Sequence, residues 1–166
     1  MIQYTLLDPV TGYRWTVSDF RLTRNLRLNT VLLRGDEHLG IITRRDQVVF
    51  ARWCVGEILA RLKGEPDRRV AHALSLVDRW LEDESCVTPE ELEVARSAVY
   101  DVWGIANVPR SVPRVAELTD IVVWTTIMPN ARVGAARAAE VTATTPEINS
   151  YEAQARWFVQ HLQSGK

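Results

Sequence analysis

Apolar side chains recur at helical spacing most clearly over residues 67–81. Val70, Leu74, Val77 and Leu81 stand three or four positions apart, and Ala73 and Trp80 fill the same stripe. Such a stripe predicts an amphipathic helix with one buried face. Asp67 precedes it where a carboxylate can accept from the unpaired amides of the first turn. Glu82, Asp83 and Glu84 follow it, and acids at a helix C-terminus oppose the macrodipole. A second helix opens at Thr88-Pro89-Glu90-Glu91. Thr88 can cap, Pro89 suits the first helical position, and Glu91 can reach back to complete a capping box. Leu92, Ala95, Val99, Val102 and Trp103 then share a face until Gly104 stops the run. The short link makes these two helices antiparallel neighbours.

A helix over residues 43–63 precedes this pair. It starts at Thr43, with Asp46 three positions on as a capping partner. Val48, Val49, Phe50, Ala51, Trp53, Cys54, Val55, Ile58, Leu59 and Leu62 cover more than half its circumference, so several neighbours should contact it. Gly64, Glu65 and Pro66 end it. After a linker with Pro109 and Pro113, a fourth helix is predicted over 113–128. Its core face is Val115, Leu118, Ile121, Val122, Trp124 and Ile127, and Pro129 stops it. Asn130 can cap a fifth helix over 131–143. Its Ala131, Gly134, Ala135, Ala136, Ala138 and Ala139 are small enough for close approach of helix axes. Thr144, Thr145, Pro146 and Glu147 read as the start of a last helix that ends near Gln163, with Tyr151, Ala155, Phe158 and Leu162 on one face.

The first third is different. Residues 2–7 and 13–17 are rich in β-branched and aromatic side chains, with Asp8, Pro9 and Gly12 as turn formers between them. They predict a β-hairpin, which must pack on the helices or pair with a partner's edge. Residues 18–42 support two readings. Leu22, Leu26 and Leu33 fit a helix; Leu26, Leu28, Thr30 and Leu32 alternate as a strand. Gly35, Asp36 and Glu37 mark a turn before the first firm helix. The expected architecture is therefore mainly α: one domain over 1–166, about six helices in an orthogonal or bundle-like array, and a short N-terminal β-hairpin. Residues 1–42 form the hairpin and variable segment, and 43–163 the helical core.

Composition bounds the rest. The chain has 166 residues, 46% hydrophobic and 25% charged, the profile of a globular protein with a real core. Its net charge of -1 gives no global field for nucleic acid. The charge is uneven: residues 1–69 carry +4 and residues 70–166 carry -5. Cys54 and Cys86 lack metal-ligand spacing and read as reduced thiols of a reducing compartment. With no signal peptide, and with 121–124 as the longest apolar run, the expected location is cytoplasmic and no membrane partner is expected.

No catalytic signature stands out, so the expectation is a protein that is not an enzyme and uses no cofactor and no metal. There is no glycine-rich nucleotide loop, and His38, His72 and His161 are far apart. A dyad of Cys54 and His72 is conceivable, against an inert buried thiol for Cys54. Two clusters remain as partner-binding candidates. Glu82, Asp83, Glu84, Glu90, Glu91 and Glu93 surround one turn, either as a solubilising corner or as a negative patch for a basic partner. Arg21, Arg24 and Arg27, with Arg34 beyond them, form a spaced row that either is a solvated face or meets phosphate or acids. Arg44 and Arg45 lie in a helix first turn, where positive charge costs about 0.3–1 kcal/mol each; such a local violation marks either a functional site or a surface offset by Asp46. The six tryptophans read as packing residues rather than a platform for bases.

The order of these segments carries a resemblance. Ala51-Arg-Trp-Cys-Val-Gly-Glu-Ile-Leu, Glu65-Pro-Asp-Arg-Arg, Ala73-Leu-Ser-Leu-Val-Asp-Arg-Trp-Leu and Leu92-Glu-Val-Ala-Arg-Ser-Ala follow one another. Together with 131–143 and 152–162 they resemble the immunity protein domain of bacterial polymorphic-toxin loci, over roughly residues 50–162. The resemblance implies a small all-α protein that neutralises a toxin by binding it. Where that family often has histidines, this chain has Thr125, Asn130 and Arg132, so the resemblance implies no histidine-dependent role here. Two other readings stand beside it: a phage or mobile-element inhibitor of a nucleic-acid-targeting defence complex, and a nucleic-acid-binding module using the N-terminal arginines with Arg44 and Arg45.

Overall fold

The computed structural model describes residues 1–61, 64–103, 111–144 and 150–164. Among them lie four strands and six α-helices, so the protein is mainly α with a small N-terminal sheet. Strands β1 (Gln3–Leu7) and β2 (Arg14–Ser18) form the expected hairpin, with Tyr4 opposite Val17 and Leu6 opposite Trp15. Its turn is organised by Asp8, whose Oδ1 accepts from the amides of Val10 at 2.9 Å and Thr11 at 3.4 Å. Gly12 supplies a φ of +75° beside it.

Residues 18–42 resolve the open alternative in a way neither reading anticipated. A single 3-10 turn forms at Leu22–Arg24, and two further strands follow, β3 (Val31–Arg34) and β4 (Glu37–Ile41). The turn around Gly35 and Asp36 therefore closes a second hairpin instead of leading into a helix. Gly35 takes φ +62° at the first turn position, where a two-residue hairpin loop favours glycine. The sheet is antiparallel throughout, in the order β2-β1-β3-β4, with Leu6 opposite Leu32 across its centre. A register shift at Leu32/Leu33 sets Leu32 opposite Gly40 and Leu33 opposite His38. Such bulges re-aim side chains; Leu39, beside the shift, is buried.

The helices are α1 (Arg44–Leu59), α2 (Arg68–Glu82), α3 (Pro89–Trp103), α4 (Ser111–Ile127), α5 (Arg132–Ala143) and α6 (Tyr151–Gln163). Their starts follow local chemistry. Thr43 and Asp46 form a reciprocal capping box, the Asp67 carboxylate accepts from the Arg69 amide at 2.9 Å, and the Thr88 hydroxyl accepts from the Glu91 amide at 3.1 Å. Asn130, the expected cap of α5, accepts from the Arg132 amide at 3.1 Å, but the helix starts one residue later than expected, with Ala131 at the cap position and no side-chain cap bond. Other boundaries differ too: α4 starts at Ser111, two residues before the expected Pro113. α1 ends at Leu59, four residues short of the expected limit, and residues 62–63 lie outside the described range. α6 starts at Tyr151 with Ser150 as cap. Thr144 instead closes α5, donating to Glu140 O at 2.8 Å, and residues 145–149 lie outside the described range.

The central helix is α4, not only α1: it packs against α1, α2, α3 and α5. Beyond the expected core face it buries Ala116, Thr119, Val123, Thr125 and Thr126. The threonines can go inside because each hydroxyl donates to the carbonyl four residues earlier, at 2.6–2.8 Å. One continuous apolar cluster runs from Tyr4 and Leu6 of the sheet to Phe158 and Leu162 of α6.

Two buried glutamines tie the sheet-side segment to the helices. The Gln47 side chain, on α1, donates to Leu26 O and accepts from the Ala131 amide at 3.0 Å. The Gln154 side chain, on α6, accepts from the Thr23 hydroxyl at 2.9 Å and donates to Ala139 O at 3.1 Å. Both are 0% exposed. At the other end of the helical face, His161 Nε2 lies 2.8 Å from Asp46 Oδ1. Its ring stacks on Trp157, which stacks in turn on Trp53 at 4.5 Å.

The approach of α5 to α4 at Gly134 generates a test. A Cβ on Gly134 of α5 would stand 1.9 Å from Thr125 Oγ1 of α4, and that hydroxyl is held by its 2.6 Å bond to Ile121 O. Gly134→Ala gains about 1 kcal/mol of helix propensity, but overpacking costs about 1–3 kcal/mol. The expected outcome in thermal unfolding is a midpoint lowered by a few degrees. Adding Thr125→Ala should recover most of the loss, whereas Thr125→Ser, which keeps the oxygen, should not.

Candidate functional site

The acidic candidates lie where α2 ends and α3 begins. Glu82, Asp83, Glu84, Glu90, Glu91 and Glu93 are all exposed. Asp83 is the organiser of the turn. Its Oδ1 accepts from the Ser85 amide at 2.9 Å and the Ser85 hydroxyl at 2.7 Å, and its Oδ2 from the Cys86 thiol at 3.3 Å. The Ser85 hydroxyl and backbone amide hold its carboxyl below the usual range, so it stays ionised well into acid. The five glutamates have no cationic partner among the described residues. Their negative charge is left facing water.

Helix α3 continues this surface in a way the acids alone do not reveal. Glu90, Val94, Ser97 and Tyr100 or Asp101 follow at helical spacing along its outer side, and all are exposed. Val94 is 72% and Tyr100 61% exposed, both off the buried stripe of Leu92, Ala95, Val99 and Val102. A groove of about 380 Å³ flanks one side, lined by His72, Leu76 and Arg79 of α2 and by Glu90, Glu91 and Val94. A second of about 340 Å³ flanks the other, lined by Glu93, Arg96, Ser97, Tyr100 and Asp101 and by Asp120 of α4. The 2.9 Å ion pair between Arg96 and Asp120 fixes the floor of this second groove. The signal for Val94, Ser97, Tyr100 and Asp101 was present in the sequence. Once the core stripe of α3 is assigned, an aliphatic and an aromatic side chain remain on the opposite side.

The arginine candidates are dispersed over different tasks. Arg44 of α1 donates to Thr126 O and lies over the Trp80 ring at 5.1 Å; Arg45 donates to Leu81 O. Both carbonyls belong to the last turns of other helices, α4 and α2, where a cation is favoured. The unfavourable charge in the first turn of α1 is thus employed at two neighbouring helix ends. Arg24 donates to Phe20 O at 3.1 Å and covers the Tyr151 ring at 4.3 Å. Arg21 is exposed. Arg27 stands over the Trp15 ring at 4.6 Å and lines a separate groove beside the first hairpin. The row of arginines therefore does not act as one helix stripe, because Leu22–Arg24 is a single 3-10 turn.

The conceivable thiol–imidazole dyad is excluded by position. Cys54 is fully buried, bonded to the Thr142 hydroxyl, and burial pushes its thiol up to about 12. His72 is exposed on α2 and lines the α2–α3 groove. Among the described residues no three His, Cys, Asp or Glu side chains come together as metal ligands, and no helix is long and apolar enough to cross a membrane.

The two thiols should separate cleanly in a labelling experiment. Raised thiol values mean less thiolate at a given pH; the Asp83 contact raises Cys86 as well, but Cys86 is exposed. A thiol-specific alkylating reagent near pH 8 should modify Cys86 alone in the native protein, and Cys54 only after denaturation, as read by mass spectrometry. Asp83→Asn should speed the native reaction by lowering the Cys86 value. Compared with family models, curated proteins and solved structures, the chain finds no match in any of the three.

Proposed function

We propose that this protein works by contact, as an immunity or inhibitor protein that binds a basic protein target through the outer side of α3 and the acid-rich end of α2, and blocks it by covering it. The observation that carries the reading is the exposure of Val94 and Tyr100 inside a field of unpaired acids. Interface cores favour an aromatic anchor, and a rim of one sign steers a partner of the other. The grooves on either side of α3 give such a partner two places to seat side chains. The order of segments that resembles toxin-immunity domains supports a toxin as the target, and a defence-complex subunit would use the same surface. The arginine-based nucleic-acid reading has less support, since Arg24, Arg44 and Arg45 each already donate to a backbone carbonyl of the fold.

The test is a protection assay with the toxin encoded beside the gene. Co-expression should restore growth and yield a complex by gel filtration. Tyr100→Ala should weaken that complex by about tenfold or more, the loss typical of an interface anchor. Glu90→Lys combined with Glu93→Lys should slow association and reduce its dependence on salt. Both variants should keep the thermal midpoint of the parent. Protection that survives both changes would move the binding surface elsewhere, and absence of protection would remove the inhibitor reading.

A further inference from the structure

A third groove, of about 430 Å³, lies at the opposite chemical extreme from the acidic face. Among its lining residues are Asp8, Tyr13 and Trp15 of the first hairpin, Arg27 ahead of β3, and Arg132 at the start of α5. Its volume is within the ~300–1,000 Å³ usual for small-molecule sites. Three separate chain segments converge there, and the chemistry they bring is specific. Tyr13 is 65% exposed and sits 5.6 Å from Trp15 with the rings tilted by 32°. The Arg27 guanidinium lies 4.6 Å over the Trp15 ring. Neither Arg27 nor Arg132 has a carboxylate partner among the described residues, although a carboxylate, Asp8, lines the same groove. The amides of Val10 and Thr11 hold the Asp8 carboxyl below its usual range, so it is ionised at neutral pH.

We infer that this groove is a binding site for a nucleotide, with the base stacked on Tyr13 and the phosphate between Arg27 and Arg132. An exposed ring just ahead of β2 offers a π-face that any base can use. Two uncompensated guanidinium groups match a phosphate better than a neutral ligand. Asp8 sets the polarity: it repels phosphate and accepts from sugar hydroxyls or from the amino group of a base. The site shares no residue with the acidic face and stands whether or not that face binds a toxin.

The probes are adenosine 5′-monophosphate, adenosine, ribose 5-phosphate and a short oligoadenylate, titrated against the intact protein by calorimetry and by intrinsic tryptophan fluorescence. The nucleotide should bind one to one, and adenosine and ribose 5-phosphate should each bind at least about tenfold more weakly, since each lacks one of the two contacts. Tyr13→Ala, Arg27→Gln and Arg132→Gln should each weaken nucleotide binding by about tenfold while leaving the thermal midpoint in place. An oligoadenylate that binds more tightly than the mononucleotide through the same three residues would assign the ligand to a strand; equal or weaker binding would assign it to a free nucleotide. Ribose 5-phosphate binding as tightly as the nucleotide, or affinity unchanged in Tyr13→Ala, would reduce the groove to a general anion site and overturn the inference, as would no binding at millimolar nucleotide.

Discussion

The structure depends on two amide side chains placed where water cannot reach them. Gln47 and Gln154 each bond to the segment before β3 and to α5. A buried amide left unpaired costs about 1–3 kcal/mol, so these bonds tolerate little relative movement of the parts they join. Apolar packing alone would hold the sheet near the helices in many arrangements. The glutamines select one of them, because an amide has a direction and a methyl group does not. The grooves on the surface inherit that selection. Asn130 and Arg132, which line the third groove, flank Ala131, whose amide Gln47 holds.

Much of the helical part is legible because its signals are local. Thr43, Asp67 and Thr88 cap within three residues of themselves, and the stripes of α2 and α3 need only a period of three or four. The small residues of α5 announce a close crossing, and Gly134 makes one. What stays hidden is set by distance along the chain. In β3, Val31, Leu32 and Leu33 are all buried, so the alternation that betrays a strand is missing. Strand β4 is interrupted by a register shift and contains a glycine with φ +149°. Gln47 and Gln154 read as surface residues from their chemistry, and only their partners far along the chain explain their burial. Arg44 and Arg45 break a local rule in α1 and obey the same rule at the ends of α4 and α2.

The candidate sites divide along the same line. The acidic corner is legible because it is contiguous in sequence and exposed. The side chains beside it on α3 are legible only by subtraction, after the buried stripe has been removed. The groove of Tyr13, Trp15, Arg27 and Arg132 is invisible in one dimension, since its walls come from three segments that span more than a hundred residues. Charge is segregated accordingly: the unpaired acids follow α2 and α3, and the unpaired guanidinium groups of the groove lie beside the sheet.

The pairing of β4 with the last helix has a consequence for synthesis on the ribosome. All four strands precede α1 in the chain and can pair before the helices are made. Yet β4 is covered by α6, where Gly40 meets the Leu162 side chain. The inner side of β4 therefore waits, uncovered, until α6 has left the exit tunnel. Long-range closure of this kind slows folding and prolongs exposure of apolar surface. A chain broken off before α6 would retain all four strands with β4 uncovered, a form open to self-association through that strand.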